Sequence, residues 1–212
     1  MTAATMPQTR TVTGTIMFTD IVGFTEFNAL RGDEEAFELL ALQERIVVAE
    51  VSGNARIIKE LGDGLMLWFG DACAAIDTGL RLQERFEQES AHTEAPLWVR
   101  IGMHSGTQTR RGDDLVGHDV NVAARIVNLA GSGEVLASEA TVRRVDNGLP
   151  DVTFERLGPV VMKGIPTPIN LYRAERLREL TEDEAMELAL EAQRWARREE
   201  RKRKDREGYA PG

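Results

Sequence analysis

With Cys73 as its only cysteine, the chain cannot close a disulfide within itself. A stapled, core-poor secreted scaffold is therefore excluded, and no thiol-rich metal cluster is available. Long hydrophobic runs are also missing. No apolar stretch approaches the 18 or so residues that a membrane-spanning helix needs, so no transmembrane segment is expected. The start, MTAATMPQTRTVTG, is polar and carries no apolar h-region, so no secretory signal is read there. These features together predict a soluble, cytoplasmic protein. A basic balance is absent too: the net charge is −9. That argues against a chain devoted to nucleic acid, and no nucleic-acid partner is expected. It leaves open a small phosphorylated substrate held by metal ions.

What remains is ordinary globular composition. The chain has 212 residues, of which 42% are apolar and 29% charged. That is enough for one domain with a sizeable core plus an appendage. Residues 1–12 read as a disordered leader, 13–176 as the folded body, and 177–212 as a C-terminal helix with a basic tail.

The body opens on a β-branched strand, Thr13 to Phe18, ending at Asp20. Helical period follows from Asp33, a candidate N-cap, to about Val51. Phe37, Leu40, Ala41, Val47, Val48 and Val51 trace the expected buried face. Two apolar runs, Ala55–Leu61 and Leu65–Phe69, flank Gly62-Asp63-Gly64 and predict a β-hairpin. Asp71 caps a second helix to about Glu89, and a strand runs from Trp98 to His104. The order β-α-β-β-α-β predicts a ferredoxin-like α+β core with an antiparallel sheet and extra C-terminal elements.

In the second half, Ser105 to Gly117 reads as a loop or short hairpin arm. Val120–Leu129 and a short stretch capped by Ser138 read as helices. Glu134–Ala137, Phe154–Val161 and Ile169–Tyr172 read as strands, with a turn-rich connector, Met162 to Pro168. Thr181-Glu-Asp-Glu184 is a capping box that predicts a helix over 178–206, a solvated charged helix with one apolar stripe.

Two carboxylates gain meaning from this order. In a ferredoxin-like sheet the first and third strands are antiparallel neighbours, which sets Asp20 beside Asp63. Unpaired carboxylates so close repel, and a divalent cation relieves them. Oxygen donors of this kind select Mg²⁺ or Mn²⁺ over zinc. Paired metals about 3.5–4 Å apart suit in-line displacement at phosphorus. The turn after Asp20 exposes backbone N–H groups that suit phosphate oxygens. Lys59, four residues before Asp63, is expected on the same side of its strand. Asp114 lies on a polar loop with Asp113 beside it. Asn121 and Arg125 share a helix face, where an amide and a guanidinium can orient a sugar and neutralise a phosphate. His92, His104 and His118 show no partner in sequence and are read as structural or loop residues.

The motifs FTDIVGFT, KELGDG, DLVGHDVNVAAR and VMKGIP, in this order and spacing, resemble the catalytic domain of class III nucleotidyl cyclases over about residues 13 to 174. The resemblance implies that Asp20 and Asp63 bind two divalent metal ions, with the Ile21 carbonyl assisting. It implies that Lys59 and Asp114 read the purine, Asn121 orients the ribose and Arg125 stabilises charge on the α-phosphate. Lys163 resembles a triphosphate-binding lysine, and the backbone of Val22, Gly23, Phe24 and Thr25 would hold the β- and γ-phosphates. Many relatives carry W-G-D where this chain has Val116-Gly117-His118.

Base choice then follows from hydrogen bonding. Adenine presents N1 as an acceptor and its exocyclic amine as a donor, matching a lysine and an aspartate. Guanine presents a carbonyl oxygen and donors, and favours an acid in place of the lysine. Lys59 with Asp114 therefore predicts ATP, and an adenylate cyclase making 3′,5′-cyclic AMP and pyrophosphate. The alternatives are a guanylate or mixed-specificity cyclase, or a catalytically silent regulatory or dimerisation module. The resemblance further implies a head-to-tail homodimer whose sites are shared, with the metal aspartates from one chain and the purine, ribose and α-phosphate residues from the other.

Overall fold

In a computed structural model, the structure describes residues 10–91, 97–146 and 148–177, together with Met186, Leu190 and Arg194. The chain divides into two compact units, Met1–Arg176 and Leu177–Gly212. Apart from those three positions, which are helical and exposed, the expected helix over 178–206 lies outside the described residues.

Along the first unit the elements run β1 (Arg10–Ile21), α1 (Phe24–Arg31), α2 (Asp33–Glu50), β2 (Arg56–Leu61), β3 (Gly64–Phe69) and α3 (Ala72–Ser90). They continue as β4 (Val99–Arg111), β5 (Asp114–Val116), α4 (His118–Val127), β6 (Val135–Ser138), α5 (Glu139–Val145), β7 (Val152–Val160) and β8 (Ile169–Arg176). All strands join one sheet of order β2-β3-β1-β4-β6-β8-β7, with β5 added to the distal half of β4. Only the β4–β6 pair is parallel. The β4-β1-β3-β2 order is that of the expected ferredoxin-like unit.

Alternation along the strands gives each sheet face its own core. Met17, Ile21, Leu67, Phe69, Ile101 and Met103 face α2, α3 and α5. Ile16, Phe18 and Met66 face the other way, toward Val120, Ala123 and Val127 of α4. Among the described residues, α4 is therefore the helix on the face opposite α2 and α3.

Several boundaries differ from the sequence reading. β1 begins at Arg10, because residues 10–14 pair with Arg110–Gly106 of the long strand β4. Of the two readings for Ser105 to Gly117, the hairpin arm is the one found: β4 runs on to Arg111 and pairs with β5. Gly32, at φ +88, caps α2, and Asp33 is its first residue. The buried face of α2 is Ala36, Leu39, Gln43, Ile46 and Val47, while Phe37 is 69% and Val48 54% exposed. Both sides of α2 carry apolar residues, and periodicity alone does not choose between them. By contrast the Asp71 cap is as expected, its carboxylate accepting from the Ala74 amide at 2.9 Å.

Candidate active site

Two strand ends meet at one edge of the site. Asp20 is opposite Gly64 in the β1–β3 register, and the Ile21 amide donates to the Asp63 carbonyl at 3.3 Å. Asp63 itself occupies the two-residue turn between β2 and β3. Gly62 stands first in that turn at φ +66, which suits a II′ turn matching the twist of the flanking strands. The structure thus brings Asp20 and Asp63 side by side, both half-buried. Burial pushes the Asp63 carboxyl above its ordinary range, and the Asp20 charge pushes it further. A pair under this strain is a natural cation site.

Arg100, missed in the sequence reading, completes this corner. It stands opposite Asp20 in the β1–β4 register. Its Nε donates to Asp20 Oδ2 at 2.7 Å and its Nη2 to Asn128 Oδ1 at 3.3 Å. The same guanidinium draws the Asp63 carboxyl down, partly offsetting burial. No motif announces Arg100; only the strand register finds it.

The turn into α1 follows directly. Val22 donates its amide to the Trp98 carbonyl at 2.7 Å, so that N–H is spent inside the fold. Of the expected phosphate-binding backbone, Val22 to Thr25, the Val22 amide is thus already engaged within the fold. Gly23 at φ +75 then turns the chain into α1. The amides of Gly23, Phe24 and Thr25 precede the first intrahelical bond, Phe27 to Gly23, and point out of the helix end. They follow Asp20 and Ile21 closely in the chain.

The second cluster is Lys59 and Asp114. The β2–β3 register shifts between Ile57 and Lys59, and Lys59 ends opposite Met66. Lys59 Nζ lies 2.7 Å from Asp114 Oδ1 and donates to Oδ2 at 2.8 Å. Asp113 instead faces Arg110 at 3.7 Å with its side chain open to solvent, which separates the two neighbouring aspartates. A cation and a carboxylate held together in this way offer one donor and one acceptor to the edge of a ligand.

Asn121 and Arg125 lie one turn apart on the exposed side of α4, while Val120, Val122, Ala123 and Ile126 are buried. Lys163 sits exposed in the turn after β7, closed by the Ile165 amide on the Met162 carbonyl. None of these three side chains is bonded to a neighbour among the described residues. All three polar heads are exposed.

Asp20 and Asp63 could hold divalent ions, with the Ile21 carbonyl at the same strand end. No group of three or more His, Cys, Asp or Glu residues is arranged for a metal among the described residues. The donor set still fits Mg²⁺, which commonly takes one or two carboxylates and completes its shell with water and substrate phosphates. No helix among the described residues is long and apolar enough to cross a membrane.

Residues 6–175 match the adenylate and guanylate cyclase catalytic domain family. The chain is 29% identical over 174 residues to a pH-sensitive adenylate cyclase of Mycobacterium tuberculosis, covering 81% of this chain and 42% of that one. It is 34% identical over 124 residues to an adenylate cyclase of Streptomyces coelicolor, covering 58% and 32%. The crystal structure of the adenylyl cyclase CyaB from P. aeruginosa superposes with a TM-score of 0.68 at 25% identity, covering 81% of this chain and 98% of that one. The chain spans less than half the length of these two curated relatives. A domain match over nearly the whole first unit, on a fold with these clusters, makes this chain a member of the adenylate and guanylate cyclase catalytic domain family.

Proposed function

We propose that this domain is an adenylate cyclase that converts ATP to 3′,5′-cyclic AMP and pyrophosphate. The observation that carries the base assignment is the Lys59–Asp114 pair at 2.7–2.8 Å. Lys59 donates to adenine N1 and Asp114 accepts from the exocyclic amine. A guanine in the same place would turn its N1–H toward the ammonium, leaving a donor against a donor.

The reaction joins the ribose 3′-oxygen to the α-phosphorus and breaks the bond from that phosphorus to the bridging oxygen of pyrophosphate. The 3′-hydroxyl gives up its proton to water and pyrophosphate leaves with the bonding electrons. Asn121 orients the ribose, and Arg125 lies against the α-phosphate as charge builds there. The Gly23–Thr25 amides and Lys163 hold the terminal phosphates. Asp20 and Asp63 would hold two Mg²⁺ or Mn²⁺ ions, which lower the 3′-hydroxyl pKa and neutralise phosphate charge. Most of the catalysis is positioning and charge neutralisation, as in phosphoryl transfer generally.

We further propose a head-to-tail homodimer in which Asp20 and Asp63 of one chain face Lys59, Asp114, Asn121 and Arg125 of the other. Each chain carries both halves, so two equivalent sites form. Asn121 and Arg125 are exposed on α4, where a second chain could reach them.

The deciding experiment is product analysis after incubation with ATP or GTP, each with Mg²⁺ or Mn²⁺. Cyclic AMP from ATP, with little cyclic GMP from GTP, is expected. Equal use of both nucleotides would mark a mixed-specificity cyclase. No product with either would mark a silent module.

A further inference from the structure

His104 and Asp119 belong to neither cluster above, yet they meet at the start of the helix that carries Asn121 and Arg125. His104 lies on β4 and is 8% exposed. Its Nδ1 is 2.7 Å from Ser138 Oγ at the end of β6. From there a buried hydroxyl chain continues: Ser138 Oγ to Thr141 Oγ1 at 3.2 Å, Thr141 to Ser105 Oγ at 3.1 Å, and Ser105 to Thr15 Oγ1 at 2.7 Å. The network ties β1, β4, β6 and α5 to the imidazole.

On its other side the ring meets Asp119. His104 Nε2 is 3.6 Å from Asp119 Oδ1, too long for a hydrogen bond. Asp119 Oδ2 accepts from the Thr107 amide at 2.6 Å. Asp119 is the second residue of α4, and the Gly117 N-cap supplies no side-chain cap. One carboxylate therefore fastens the first turn of α4 to β4. The fit is close: a Cβ on Gly106 would stand 1.9 Å from Asp119 Oδ2, so glycine leaves the space the carboxylate fills. Asn121 is two residues further on, and Arg125 one turn beyond that.

We propose that Asp119, with His104 behind it, is a positioning pair that fixes the first turn of α4 and so sets the aim of Asn121 and Arg125. The proposal rests on the cyclase reading for what those two residues do, but the contact itself does not.

An acidic residue in a first helical turn is often there only for the helix dipole. That account explains neither the Thr107 bond nor the bare Gly106, and it gives the imidazole no part. The groups facing His104 are Asp119 and His118 from α4 and Arg144 from α5, with the neutral Ser138 and Thr141 beside them. Burial pushes the imidazole below its ordinary value, and Asp119 pulls it back up. Protonation gives both ring nitrogens an N–H, so one can point at Ser138 and the other at Asp119. The 3.6 Å gap is then a contact that acid completes.

The test compares Asp119→Ala and Asp119→Asn with the unaltered protein. In Asp119→Ala, kcat should fall about 10- to 100-fold with KM for the nucleotide near its original value, because aim rather than binding is lost. In Asp119→Asn the side-chain oxygen still accepts from Thr107, so kcat should largely return. The His104 titration midpoint, followed by NMR, should move lower in Asp119→Asn, since the attracting charge is gone. Amide exchange at Thr107 should quicken in Asp119→Ala and stay slow in Asp119→Asn. The Asn121 side-chain amide resonance should shift in Asp119→Ala, which reports its aim even if the protein turns over no nucleotide. Unchanged kcat in a folded Asp119→Ala, an unmoved His104 midpoint, or an unmoved Asn121 resonance overturns the proposal. Failure of every protein to make cyclic nucleotide overturns the cyclase reading alone, and the two NMR readouts and the exchange rate still decide the pair.

Discussion

Arg100 and Asp20 stand opposite each other on β4 and β1 and are joined by a hydrogen bond of 2.7 Å from Nε to Oδ2. This ion pair holds one of the two proposed metal ligands while no metal is bound. It neutralises part of the Asp20–Asp63 charge, so it steadies the metal-free site and competes with the cation. Arg100→Ala should lower the metal-free melting temperature by roughly 2–4 °C, the scale of about 1 kcal/mol lost from a partly exposed pair. The rise in melting temperature on adding Mn²⁺ should be larger in the variant than in the original protein. Calorimetry with and without the ion measures both. A variant whose Mn²⁺ response is smaller contradicts the competition.

Asp63 is held above its ordinary pKa by burial and by Asp20. A group raised in the folded state contributes stability that is present below its unfolded pKa and lost as pH rises through the folded one. At neutral pH the ionised Asp63 therefore costs the metal-free fold. Asp63→Asn should melt slightly higher than the original protein at pH 7 and lose the decline in stability that begins above about pH 4. The same variant should lose turnover by on the order of 100-fold or more, since the charge that binds the cation is gone. Higher stability together with lost activity is the signature of a functional rather than a structural carboxylate. A folded variant with near-normal product formation would sink the metal assignment.

These two residues also show what a sequence can and cannot reveal here. Asp63 is legible because a glycine-flanked aspartate between two alternating apolar runs has few explanations other than a tight hairpin. Its neighbour Asp20 is legible once the β-α-β-β-α-β order sets strand one beside strand three. Arg100 is not, because nothing local marks it; its meaning comes from a partner 80 positions away in chain order. The Lys59–Asp114 pair spans 55 positions and needs β5 to fold back along β4 before the two can touch. Spacing alone left Asp113 and Asp114 equivalent, and the contact distinguishes them. The expected face of α2 holds only in part, for a different reason. Val47 is buried and Leu40 and Val51 pack against the core, but Phe37 and Val48 are exposed and Leu39 and Ile46 are buried instead, a rotation of the face that only the sheet decides.

Lys59 and Asp114 satisfy each other when no purine is present. On the proposed purine role, a base that inserts would exchange that ion pair for hydrogen bonds of its own, so selectivity would depend on both partners at once. Lys59→Glu combined with Asp114→Gly should weaken ATP use and raise GTP use relative to ATP. Full inversion is not expected, because pocket shape contributes as well. Relative kcat/KM for the two nucleotides is the measurement. Unchanged ATP activity with unchanged selectivity in the double variant would remove the purine role from both residues.

The shared-site arrangement makes a sharper demand, because it predicts activity from two inactive proteins. Asp20→Ala removes a proposed metal ligand, and Asn121→Ala removes the proposed ribose contact. As homodimers each should be nearly inactive, since every site carries the lesion. If the two residues act from opposite chains, a mixed dimer has one site with both defects and one with neither. Its activity should recover to about half that of the original dimer by the two-fold symmetry of the assembly. Co-expression with two different tags, followed by sequential purification, gives a verified heterodimer without relying on subunit exchange. Cyclic AMP formation by that heterodimer is the readout. Were both residues to serve a site within a single chain, each site in the heterodimer would retain one lesion and activity would stay near that of the homodimers. A verified heterodimer without rescue therefore rejects the shared site, whereas recovery toward half requires that the metal corner of one chain faces the α4 helix of the other.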